Sequence, residues 1–190
     1  MNKQVSNIVP VLRLGLVCLV LCSVLYPLAV TGIGQLFFPY QADGSLVKDA
    51  DGRVIGSELI GQTFTDPALF QGRVSSIDND ASGSGTPNYA PSNPDLILRT
   101  EEAIHAQQAA NPDGGSVPLD LVTNSGSGLD PHISIEAAEY QVPRIAEASD
   151  ISEEELYKLI GENRTSEVEE LLGAPAVNVL KLNTLLQALK

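Results

Sequence analysis

Cysteine is nearly absent from this chain of 190 residues: Cys18 and Cys22 are the only two, and both lie in one apolar run. Everything after that run therefore lacks the thiols for a disulfide, a redox couple or a cysteine-based zinc site, and must be stable without cross-links. Basic residues are also few, 11 Lys and Arg against 24 Asp and Glu, for a net charge of −13. A chain of that sign lacks the cationic footprint of a nucleic-acid binder. Histidine occurs twice, as His105 and His132. The most informative absence is local: no charged residue of either sign falls between Arg13 and Asp43.

Within that gap, Leu14 to Phe38 is a run of 25 residues broken only by Ser23, Thr31, Gln35 and a few Gly and Pro. At about 1.5 Å per residue such a helix crosses the roughly 30 Å hydrocarbon core with length left for tilt. A lone segment in lipid must satisfy its own backbone, so a helix is expected, kinked at Pro27. The segment 1–13 carries Lys3 and Arg13 and no acid, which places it in the cytoplasm and residues 39–190 outside. Setting Lys3 and Arg13 aside leaves nine basic residues against all 24 acidic ones, so the outer part carries −15. A cleaved signal peptide is the rival, but the run is long for one and Ala29-Val30-Thr31 is a poor cleavage match. A lipoprotein signal would need a small residue where Leu21 precedes Cys22. Gly15, Ser23, Gly32 and Gly34 are small enough to admit close helix packing, and Phe37 to Tyr40 fit an aromatic belt.

The remainder reads as one mixed domain, with strands and helices in no regular βαβ order, so the fold class is α+β: one transmembrane helix, then a single mixed α/β extracytoplasmic domain. Strands at Ser45–Val47 and Arg53–Ile55 flank the turn Asp49-Ala50-Asp51-Gly52, whose spacing lacks the later ligands of a calcium loop. Residues 66–91, rich in Gly, Ser, Asn, Asp and Pro, read as a long surface loop that buries little. Asn93 and Pro94 open an amphipathic helix that runs to Ala110. Val117 to Val122 alternates as a strand, a helix is expected from Ile135 to Ala148, and capping boxes at Ser152/Glu155 and Ser166/Glu169 open two more. Ala176 to Leu182 alternates as a last strand, before one or two helical turns in the tail.

Chemistry concentrates in Ser125-Gly126-Ser127-Gly128-Leu129-Asp130-Pro131-His132. Ser125 stands where a nucleophile elbow centred on Ser127 needs Gly. No Lys completes a phosphate loop, and the dinucleotide fingerprint lacks its third Gly. Asp130 and His132 give two metal ligands at most. What is left is a turn entering a helix, able to cap a partner's carbonyls or hold an anion, or simply to connect. Gln141 and Arg144 follow closely; Arg144, among Glu136, Glu139 and Glu147, reads as a surface ion-pair residue. Asn163-Arg164-Thr165 matches a glycosylation acceptor, a pattern common by chance. The residues indicate no catalytic site and no metal site.

The blocks YPLAVTGIGQLFFPYQADGSL, GSELIGQTFTDPALFQGR, APSNPDL, AANP, VPLDLVTNSGSGLDPHISIEAAEYQVPRIA and VNVLKLN, in that order, cover most of the chain. Together they resemble the KdpC family, the C subunit of the bacterial Kdp potassium-transporting ATPase. The chain departs from the family's usual pattern at Leu69, where an aromatic is common, and at Val74, where Pro is usual. The resemblance implies a non-catalytic accessory subunit required for assembly and activity. Its implied partners are a potassium-conducting A subunit, a P-type B subunit that hydrolyses ATP through an aspartyl phosphate, a small F peptide, and membrane lipid. It further implies a catalytic chaperone role that raises the ATP affinity of the B subunit. Potassium is the ion carried by the complex, and ATP would reach the chain only through the complex. ATP is cytoplasmic, however, and residues 1–13 are too few for a nucleotide pocket. The topology therefore favours an outer domain that caps the mouth of the conducting subunit, its acidity gathering cations. The alternative is a stand-alone membrane-anchored extracellular enzyme or ligand-binding domain.

Overall fold

The computed structural model describes residues 3–49, 51–166, 171 and 173–189, with side chains from residue 8 onward. The capping box at Ser166 and Glu169 falls partly outside them. The chain divides into a helical unit ending at Ser45 and a body beginning at Leu46.

The helical unit is one long rod with two irregularities. Helix α1 (Lys3–Val20) passes through a π-helical turn at Leu21–Leu25 into α2 (Tyr26–Phe37). Pro27 has no N–H to give Ser23, and the π turn precedes it, with the Tyr26 N–H reaching back five residues to the Leu21 carbonyl. The apolar span is Ile8–Phe37, 30 residues with mean hydropathy 2.6 and no buried side chain. It is about 45 Å long at 1.5 Å per residue, so Arg13, one turn inside its start, is within snorkelling reach of an interface. The rod ends at Phe38, where the backbone leaves helical geometry, and the short α3 (Pro39–Ala42) follows.

The body starts with the expected hairpin: β1 (Leu46–Lys48) pairs antiparallel with β2 (Val54–Ser57). Gly52 takes φ +79° in its turn, and Arg53 binds the carboxylates of Asp49 and Asp51 at 3.0 and 2.8 Å. Helix α4 (Pro94–Ala110) is capped by Asn93, whose side chain accepts from the Asp95 N–H, and none of its residues is buried. A second sheet pairs β3 (His132–Ser134) with β4 (Ala176–Asn178) antiparallel, centred on Ile133 opposite Val177. Over this pair lie α5 (Ile135–Glu139), α6 (Val142–Ser149), α7 (Glu153–Glu162) and α8 (Val179–Ala188). Most of the buried residues of the last three follow the helical period: Val142 and Ile145; Leu156 and Ile160; Val179, Leu182, Asn183 and Leu186, with Arg144 and Leu180 buried beside them. Ser152 caps α7 as expected.

Four local expectations are corrected. Leu119–Leu121 is a 3-10 turn rather than part of a strand; adjacent Leu121 and Val122 are both buried while Leu119 is exposed, a pattern no strand face allows. The final strand stops at Asn178, whose side chain accepts from the Lys181 N–H and so opens α8. The helix expected from Ile135 to Ala148 is two helices, because Pro143 suits the first turn of a new helix and not an interior. Residues 66–91 do lack strands and helices, but they are not a surface loop throughout: Ala68, Leu69 and Phe70 are buried in the core.

Candidate functional site

The burial of Ala68, Leu69 and Phe70 raises a strict question, since an irregular segment in a core must still satisfy its backbone. Here side chains do it. Asn183, on α8, accepts the Phe70 N–H through Oδ1 at 2.8 Å and donates from Nδ2 to the Phe70 carbonyl at 2.9 Å. Gln141 does the same for Gln71, accepting its N–H at 2.7 Å and donating to its carbonyl at 3.1 Å. Arg144 donates to the carbonyls of Pro67 and Leu69. It also donates to Asn111 Oδ1 and to Gln141 Oε1, each at 2.8 Å. Arg144 is therefore a buried clamp and not a surface ion-pair residue: its fork fills with carbonyl and amide oxygens in place of Glu136, Glu139 or Glu147. Burial pulls its pKa down, and Asp66 opposes that by attraction.

The turn Ser125–His132 is built on the clamped segment's far end. Val74 forms a parallel bridge to Asn124, and Arg73 pairs with Asp130 at 3.1 Å. Most of the turn's polar groups are used internally. Ser125 Oγ accepts the Gly128 N–H at 2.8 Å and Ser127 Oγ the Leu129 N–H at 3.1 Å. The Gly128 carbonyl accepts from Ser75 Oγ at 2.6 Å, and the Ser127 carbonyl from the Gly85 N–H at 2.8 Å. Gly126 and Ser127 form the exposed tip. Gly128 has φ +70°, and a Cβ there would stand 2.8 Å from the Gly85 oxygen. The turn leads into β3 rather than directly into a helix; the helix start belongs to Ser134, whose Oγ accepts the Ala137 N–H. Asp120 in turn accepts the Ser134 N–H at 2.6 Å.

Asp130 accepts the His132 N–H at 3.0 Å and lies 3.5 Å from His132 Nδ1. The His132 side-chain hydrogen bond holds the Asp130 carboxyl below the usual carboxylate range, with the His132 N–H and Arg73 adding to it and burial opposing. The pair has no third ligand: among the described residues no group of three His, Cys, Asp or Glu could hold a metal ion. Asn163 and Thr165 of the glycosylation pattern are also engaged, Asn163 Nδ2 donating to Leu159 and Thr165 Oγ1 accepting the Ala176 N–H. In the span, an added Cβ at Gly15 or Gly32 meets open space, one at Gly34 would stand 3.8 Å from the Ala42 Cβ, and Ser23 falls in the π turn.

Sequence reasoning brought Ser125 to His132, Gln141 and Arg144 forward, and the structure joins them through residues 67–75. It passed over Asn183, which holds that segment, Asn111, which orients Arg144, and Arg73 and Ser75, which tie the segment to the turn. The signal for Asn183 was a polar residue on the apolar stripe of α8.

An apolar anchor followed by a body tied together by side-chain amides is an arrangement that comparison with known proteins can place. Residues 8–188 match the family model KdpC, described as K+-transporting ATPase, c chain. The chain belongs to the KdpC family. A Potassium-transporting ATPase KdpC subunit from Bacillus cereus is 52% identical over 191 residues, covering 100% of this chain and 99% of that protein. One from Bacillus anthracis is 51% identical over 189 residues, covering 98% of each. The family match spans the anchor and the body alike, so the clamp, the turn and the helix all lie within it.

Proposed function

We propose that this chain is the non-catalytic C subunit of an ATP-driven potassium uptake complex, acting beside the A, B and F subunits. The carrying observation is similarity to potassium-transporting ATPase KdpC subunits along the full length of both chains. Residues 1–13 are cytoplasmic, the apolar helix crosses the membrane, and the remainder lies outside, as the charges of Lys3 and Arg13 direct. The helix packs on membrane subunits through Gly15, Ser23, Gly32 and Gly34, and the acidic body caps the mouth of the conducting subunit, where its charge enriches potassium. Gln141 and Arg144 support docking indirectly, by fixing the segment against which the Ser125–His132 turn is built. An effect on ATP affinity of the B subunit would then pass through the membrane subunits, not through a nucleotide held by this chain.

Two measurements test this. Affinity purification of the tagged chain from native membranes should recover a P-type ATPase and a potassium-conducting subunit; recovery of the chain alone supports a stand-alone domain instead. With Cys18 and Cys22 replaced by Ala, a Ser82→Cys variant should react with a membrane-impermeant maleimide on intact cells. Labelling only after lysis would put the body on the cytoplasmic side and reopen direct nucleotide contact.

A further inference from the structure

Beside the N-terminal half of α4 lies a cavity of about 210 Å³, walled in part by Asn88, Tyr89, Leu96, Arg99 and Asn124. Among the described residues, four buried side-chain polar atoms have no hydrogen-bond partner, and three belong to these walls: Arg99 Nε and both Asn124 Nδ2 and Oδ1. An amide shut off from water with donor and acceptor both unmet carries its full desolvation penalty, which folding alone gives no reason to keep. Elsewhere in the same body, Asn183 and Gln141 show what such amides do, each holding the N–H and C=O of one residue in an irregular stretch. Asn124 offers the same two-handed chemistry with no backbone to hold.

Arg99 adds the second half of the recognition. Its guanidinium carbon sits 5.4 Å from the centre of the Tyr89 ring, and its Nη1 reaches Ser76 Oγ only at 3.5 Å. No carboxylate pairs with it among the described residues, in a chain with 24 acidic residues to choose from. The cavity is smaller than the roughly 300–1,000 Å³ of small-molecule sites, and suits one or two residues of a chain.

We infer that this cavity docks an extended, carboxylate-bearing segment of a partner subunit, its backbone taken by Asn124 and its carboxylate by Arg99. The inference rests on the subunit function proposed above. Since the Asn124 amide has no water contact, residues 86–89, which have no regular structure, move outward as the segment seats.

The test uses the full-length tagged chain in its native complex. A photo-crosslinking amino acid in place of Asn88 should join a co-purifying subunit at a peptide containing Asp or Glu. The same amino acid in place of the exposed Tyr157 on α7 should not. Asn124→Leu should leave the melting temperature of the isolated chain unchanged or raised, while weakening its association with the complex about tenfold or more. Arg99→Gln should weaken it similarly, and Arg99→Lys should restore part of the loss. The inference is overturned if the unaltered complex forms but position 88 reaches no subunit, or if both variants retain partners normally. A lowered melting temperature for Asn124→Leu would also overturn it, since that means the amide is already satisfied within the fold. Calorimetric binding of free glutamate with normal subunit recovery would make the cavity a small-ligand site. If the unaltered chain recovers no ATPase subunit, the subunit function itself fails and takes this inference with it.

Discussion

Asn183→Leu should be among the most damaging substitutions in the body that keep a side chain's branching and heavy-atom count. Asn183 is 2% exposed, so Leu occupies the same space and adds apolar contact. It leaves the Phe70 N–H and C=O, now paired at 2.8 and 2.9 Å, with nothing to bond. Each buried backbone group left unmet costs about 1–3 kcal/mol, and burying a Leu side chain returns about 1.5–3 kcal/mol. Because the segment already has its own apolar core contacts, part of that return is lost to crowding, and the net loss should be about 2–4 kcal/mol. A domain whose whole stability is about 5–15 kcal/mol would show this plainly. The assay is urea unfolding of the full-length chain in detergent, followed by near-ultraviolet circular dichroism of the buried Tyr140. Gln141→Leu should cost a similar amount. The double variant should cost less than the two together, because both clamps hold adjacent residues and freeing one releases the other. A loss below about 0.5 kcal/mol, the ordinary scatter of surface substitutions, would refute the reasoning; so would strict additivity, which would mean that Phe70 and Gln71 are held independently.

Three further outcomes follow from the same structure. Gly128→Ala should destabilise the body by about 2 kcal/mol or more, through positive φ and the 2.8 Å approach to the Gly85 oxygen. Gly126→Ala, with open space around it, should stay within about 0.5 kcal/mol of the unaltered chain; thermal unfolding of the pair decides. Asp130 has its pKa lowered by folding, so its contribution is present above its unfolded value, about 3.9, and is lost as pH falls through the folded one. Unfolding midpoints measured from pH 6 down to pH 3 should therefore fall more steeply for the unaltered chain than for Asp130→Asn, and parallel curves would remove the claimed link. Neutralising exposed acids such as Glu101, Glu102 and Glu153 should weaken the apparent potassium affinity of the complex at low ionic strength and not at high; an unchanged affinity at low salt reduces the acidity to a solubility role.

The parts legible in the sequence were those decided by neighbours along the chain. The membrane helix followed from a charge gap and an apolar length, because lipid imposes its condition on each residue separately. The hairpin followed from Asp49 to Gly52, and the starts of α4 and α7 from Asn93 and Ser152, because turns and caps are closed by groups within four residues. Residues 67–71 look like loop, and locally they are loop. Ala68, Leu69 and Phe70 among them become core only because Gln141 and Asn183 approach from 70 and 113 residues away. The same distance hid the role of Arg144, whose acidic neighbours in sequence are not its partners in space. Alternation misread Leu119–Leu121 because Leu121 and Val122 are both drawn into a core that the segment itself does not specify. Sequence alone thus determined the anchor, its charge asymmetry and the local turns. The tertiary structure decided where the buried polar side chains point, and so which loop is held and which amide, Asn124, is left open.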